Sequence, residues 1–170
     1  NEAAIVALGI LMGHPALAPI AGVEMSPEER SQAKRLYKRA TVRKRVDWVQ
    51  HFLVSATLTA LSVEAVSNVV GLAKEELDAD GGSGFSFGDL LADRTGTTFA
   101  QNATGSDAAA QRMQQRLARG FAVDDFFPPA SDLPENMTEA EFRVRFGGAG
   151  GEGYRRLTEE IQRRIAACPA

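Results

Sequence analysis

The stretch that most constrains the fold is residues 47 to 99, where two apolar runs meet a loop rich in glycine and acids. Val46, Trp48, Val49, Phe52, Leu53, Ala56, Leu58 and Leu61 recur with few charges between them, the pattern of a helix buried on most of its circumference. A polar break at Ser62-Val63-Glu64 separates this run from a second, Ala65 to Leu77, and a tight antiparallel pair is the economical arrangement. Charge is nevertheless written into this core. Asp47 and His51 are four apart and share one helix face, and Glu75, Asp78, Asp80, Asp89 and Asp93 cluster around the loop DADGGSG that starts at Asp78.

The rest of the chain reads as helices around that centre. With 170 residues and 44% hydrophobic content, one core and one domain are expected, a core at 26–120 with a wrapping segment at 121–170. Ala3 to Val23 is apolar, but His14, Pro15 and Pro19 interrupt it before the roughly 20 residues that a spanning helix needs. It reads as a buried helix ending near Gly13, followed by a turn, with no transmembrane helix in the chain. The sequence begins at Asn1, not Met, so an upstream piece is expected to have been removed, with room for a targeting segment in it.

Ser26-Pro27-Glu28-Glu29 is a helix start, with Ser at the N-cap, Pro at the first position and Glu closing a capping box. The helix is expected to run on through Val46 and to carry Lys34, Arg35, Lys38, Arg39, Arg43, Lys44 and Arg45. Such a run suits a phosphate, an acidic glycan or an anionic membrane surface, against the plainer reading of a solvated face. Ser86, with Asp89 three residues on, opens a helix expected to end near Gly96, and Thr97 to Ser106 reads as a linker. Asp107 to Ala118 reads as a helix stopped by Gly120. Phe121, Phe126 and Phe127 among Pro128, Pro129 and Pro134 predict an extended segment laying aromatic rings on the body. Thr138 to Glu141 is a second capping box, and Tyr154 to Ala167 is amphipathic. No strand alternation persists, so the expected class is all-α, a single-domain irregular helical bundle with a Pro/Phe-rich extended segment before the C-terminal helices.

Three chemistries compete for the acidic centre. A divalent metal such as Zn²⁺ would take His51, Glu75 and Asp78 as ligands, with Asp47 orienting the imidazole or acting as base in a small hydrolase. A calcium loop over 78–89 would use Asp78, Asp80 and Asp89 at its positions 1, 3 and 12. Gly82 and Ser83 depart from the pattern at positions 5 and 6, and Asp89 is shorter than the usual Glu. The third reading is a structural network of ion pairs between helices, to which Lys74 would contribute. No nucleophile motif centres on Ser or on the single Cys168, which also excludes an intramolecular disulfide. GGAGGEG lacks the preceding strand of a phosphate loop. His14 beside Pro15 reads as a turn residue. A net charge of −3 and a pI near 5.5 exclude a general pull towards nucleic acid, and no specific nucleic-acid motif appears.

An acid followed by HF at the start of an apolar helix (Asp47, His51-Phe52), then GLAKEELD (Gly71 to Asp78), GFSFGDLLAD (Gly84 to Asp93) and Gly96 carry a resemblance. Over 47–96 the chain resembles the YfiM-like family of bacterial envelope lipoproteins, which brings no established reaction. It departs from that family in having no lipid-attachment Cys near Asn1, and the basic helix and the Pro/Phe tail lie outside the match. The resemblance implies an exported protein docked at a membrane of the cell envelope. The expected function is accordingly an interaction or scaffold module with a buried His/carboxylate centre. The alternatives are the metal-dependent hydrolase and the calcium module.

Overall fold

The computed structural model describes residues 1–37, 39–61 and 84–169, and over these the protein is all-α. The helices are α1 (Glu2–Leu8), α2 (Leu17–Ile20), α3 (Pro27–Tyr37), α4 (Asp47–Ala60), α5 (Phe87–Thr104), α6 (Asp107–Ala118), α7 (Glu139–Phe146) and α8 (Glu152–Ala166). A π-helical turn, Gly9–Gly13, follows α1, and a 3₁₀ turn, Val123–Asp125, follows α6. Among the described residues no strand forms; Val42 with Arg45 and Phe85 with Met137 make isolated bridges. The second apolar run, 65–77, and the loop from Asp78 to Ser83 lie outside the described residues.

The body is built on α4 and α5, which run in the same direction. Trp48 lies beside Gly88, Phe52 beside Gly96, and Ala56 shares a cluster with Ala100 and Ala103, so both helices advance together. Small residues make this possible. Gly88, Ala92, Gly96 and Ala100 recur every four residues along α5 and form a shallow ridge on which α4 can settle closely. At Gly96 the approach is closest, because a Cβ built there would stand 2.1 Å from the Phe52 carbonyl oxygen. Gly96 therefore sits inside the helix, where its missing side chain is needed, and α5 does not end there. Residues 97 to 104 continue the helix with Ala100 and Ala103 buried, which overturns the expected linker; the break falls at Gly105-Ser106.

Several local rules hold as the sequence predicts. The Ser26 N–H donates to Glu29 at 2.8 Å and the Glu29 N–H to the Ser26 hydroxyl at 3.2 Å, the two bonds of a capping box. Ser86 caps α5 through the Asp89 N–H, and Thr138 with Glu141 closes the box of α7. The basic helix stops early, however. α3 ends at Tyr37, and Arg43 and Lys44 form a tight reversal at φ +48° and +67°, bracketed by the mutual hydrogen bonds of Val42 and Arg45. Arg43 then reaches across to bond the carbonyls of Phe127 and Pro128 and the carboxylate of Asp124, pinning the tail segment to the body.

The tail lays down aromatics as expected. Phe127 is fully buried and stacks on Trp48, while Phe126 packs on Phe52 and Phe99. Around Phe85 and Phe87, the rings of Phe142, Phe146 and Tyr154 close the other end of the core. The Arg164 guanidinium grips both oxygens of Asp132, tying α8 to the same tail. At the other end of the chain, α1 to α2 is only half buried: Ile5, Ile10, Leu17 and Ala18 face inward, whereas Ala3, Ala4, Ala7, Leu8 and Val23 face out.

If the α4–α5 approach depends on Gly96, Gly96→Ala forces the two backbones apart. The expected loss is about 2 kcal/mol or more, at the upper end of overpacking costs, read as a lower urea midpoint at unchanged slope.

Candidate functional site

Along one side of the α4–α5 contact runs a polar seam. Asp47, His51 and Ser55 are spaced by four on α4, and Asp89 and Asp93 by four on α5, so each set forms a row along its helix. His51 sits between the two acids. Its Nδ1 is 3.2 Å from Asp93 Oδ1 and its Nε2 is 3.7 Å from Asp89 Oδ2. A carboxylate can only accept, so Nδ1 carries the proton towards Asp93. The Ser55 hydroxyl donates to the same Asp93 oxygen at 2.8 Å. One α5 carboxylate thus holds two successive turns of α4.

The seam continues past His51 at the start of α4. Arg45 bonds both oxygens of Asp47 and reaches Glu135 at 2.8 Å, with its guanidinium 4.7 Å above the Trp48 ring. The hydrogen bond from Arg45 holds the Asp47 carboxyl below the usual carboxylate range. Asp47 is therefore committed to Arg45, and the expectation that it orients the imidazole is corrected: Asp93 does so, with Asp89 behind it. Arg43 and Arg45, expected on a basic face, are likewise taken up inside the protein. Lys38 lies outside the described residues.

Environment sets the charge states of the seam. Burial by itself lowers the tendency of His51 to hold a proton, but the bond to Asp93 and the charges of Asp93, Asp89 and Asp47 outweigh it, so its pKa stands above the usual imidazole value. Burial raises the Asp89 carboxyl. The His51 charge opposes that rise, and Asp47 and Glu135 reinforce it. Asp89 Oδ1 and Glu135 Oε1 are shut off from solvent without a hydrogen-bond partner among the described residues, as is Trp48 Nε1. The two last atoms lie 2.3 Å and 3.0 Å from the point where Gly88 would carry a Cβ.

The sequence-derived candidates divide accordingly. His51 and Asp89 meet, with Asp93; Asp47 is adjacent but differently engaged. Glu75, Asp78 and Asp80 lie outside the described residues, as does Lys74. Among the described residues no three His, Cys, Asp or Glu side chains converge to hold an ion. Ser55 and Glu135 were not anticipated. Ser55 completes the four-residue spacing 47, 51, 55, a readable signal; Glu135, 90 residues from Arg45, left none. Cys168 packs in the last turn against the Arg164 carbonyl, and burial raises its thiol pKa. Comparison with models of protein families, with curated proteins and with solved structures finds no match to this chain.

The pH dependence of this seam has a definite sign. A His whose pKa is raised by folding contributes stability in full below its unfolded value near 6.5, and that stability is lost as pH rises through the folded value. Asp89, also raised, acts in the same sense from about 3.8 upward, since its ionised form is the penalised one. Urea unfolding of the protein and of His51→Gln is therefore expected to show a larger gap at pH 5.5 than at pH 8.5. A gap that grows with pH would contradict the charge assignment.

Proposed function

We propose that this protein is a non-catalytic helical interaction module of the bacterial cell envelope, whose His51 centre locks α4 against α5 and so holds the outer faces of the bundle in one arrangement for a partner. One observation carries the reading: both imidazole nitrogens face carboxylates of the neighbouring helix, so the ring is used as a tie between helices. The seam is polar along its length and ties α4 to α5 at two successive turns, through His51 and Ser55, the pattern of a register device. The envelope setting draws on the resemblance over 47–96, and an exported, membrane-associated protein is the form it would take. No described helix is long and apolar enough to cross a membrane.

A second reading, a small metal-dependent hydrolase using His51, Glu75 and Asp78, is favoured by one atom. Asp89 Oδ1 is buried and unpartnered beside His51, which a cation would relieve.

The two readings separate cleanly. Under the first, protein purified without chelator carries no stoichiometric metal, and His51→Ala costs about 1 to 2 kcal/mol. That is less than the roughly 3 to 5 kcal/mol of a fully buried broken pair, because the seam is partly open to water. A stoichiometric zinc ion lost in His51→Ala with the melting temperature retained would replace it with the second. Fractionation of the native host tests the setting, with recovery in the envelope fraction expected.

A further inference from the structure

Between Glu2 and Glu24 the sequence contains no Asp, Glu, Lys or Arg. Part of that stretch faces solvent, with Leu8 at 43% and Val23 at 42% exposure. Immediately against it lies α3, which packs on the π-helical turn and buries only Ala33. Leu8 directly precedes that turn, Val23 lies three residues before Ser26, the cap of α3, and Leu36 on its last turn is 40% exposed. Exposed apolar side chains therefore border a helix that is otherwise polar.

The charge of this region runs against that of the whole. Residues 26–46 hold eight basic and two acidic side chains in a chain of net charge −3. Arg43 and Arg45 are used internally, but Arg30, Lys34, Arg35 and Arg39 are exposed, and none meets a carboxylate among the described residues. Arg30 bonds the Met25 carbonyl and Arg35 the Ser31 hydroxyl, while Glu29 is held in its capping box. Elsewhere Arg116, Arg143 and Arg164 all find acids.

We propose that this surface docks on an anionic lipid bilayer, with Leu8, Val23 and Leu36 entering the headgroup boundary and Arg30, Lys34, Arg35 and Arg39 meeting lipid phosphates. An uncharged apolar surface bordered by cations is what an interfacial contact requires. A nucleic acid would find the cations but have no use for leucine and valine, where single strands call for aromatic stacking. The proposal deepens the envelope reading and rests on it for its setting, but the surface is separate from the His51 seam.

Flotation of the full chain with phosphatidylcholine vesicles, with and without phosphatidylglycerol, tests it. Binding is expected only to the anionic vesicles and falls as salt rises. At about fivefold per basic residue, Lys34→Gln with Arg35→Gln lowers partitioning about 25-fold. Leu8→Ser with Val23→Ser weakens binding without changing the salt dependence. Equal binding to both vesicles, or none, overturns the proposal, and so does indifference to either pair of substitutions. Capture by duplex DNA without vesicle binding also overturns it and assigns the surface to nucleic acid. His51→Gln is expected to leave flotation unchanged, so failure here and failure of the helix-tie reading are told apart.

Discussion

The structure depends on how closely α5 can approach α4. At Gly96 the two backbones are separated by less than a side chain, and Gly88, Ala92 and Ala100 keep the same ridge low on either side. Helices that close exclude water along their line of contact and fix their mutual register, because any sliding would bring a larger side chain onto the ridge. Phe52 illustrates the consequence: its carbonyl meets Gly96 while its ring turns outward to Phe99, Phe126 and Phe127, so the tail packs on a surface that the helix pair has already defined.

That close contact explains why a polar seam can exist beside it. Asp89 and Asp93 each follow a small ridge residue by one position, so the approach that brings Gly88 and Ala92 onto α4 also brings the two acids level with His51 and Ser55. In a looser pair, long side chains and water would fill the gap, and the interaction would sink to the small value of a surface ion pair. Here the ring is partly buried, its charge is favoured, and Asp89 bears the cost of being desolvated next to it.

How much of this the sequence announces depends on the range of the interaction. Helix starts at Ser26, Ser86 and Thr138 are local, decided by a side chain and an N–H three residues apart, and all three are found where the motifs stand. The apolar character of α4 is equally legible, and so is the aromatic tail. Gly96 misleads because glycine has two meanings, a stop or a close approach, and only the four-residue repeat with Gly88, Ala92 and Ala100 distinguishes them. The basic run misleads in a related way. Its even charge suggests one helix, but Arg43 is drawn to carbonyls 84 and 85 residues away and Arg45 to a carboxylate 90 residues away, which no local pattern encodes.

The same distinction bears on the candidate site. Asp47 and His51 share a face, and proximity in sequence made the acid the natural orienting group, yet Arg45 lies two residues before Asp47 and claims both its oxygens. The imidazole meets α5 instead, with Nδ1 on Asp93 and Nε2 facing Asp89. The partner of His51 thus comes from α5, whose low ridge brings Asp93 within reach of the ring, while Asp47 stays with the arginine two residues before it.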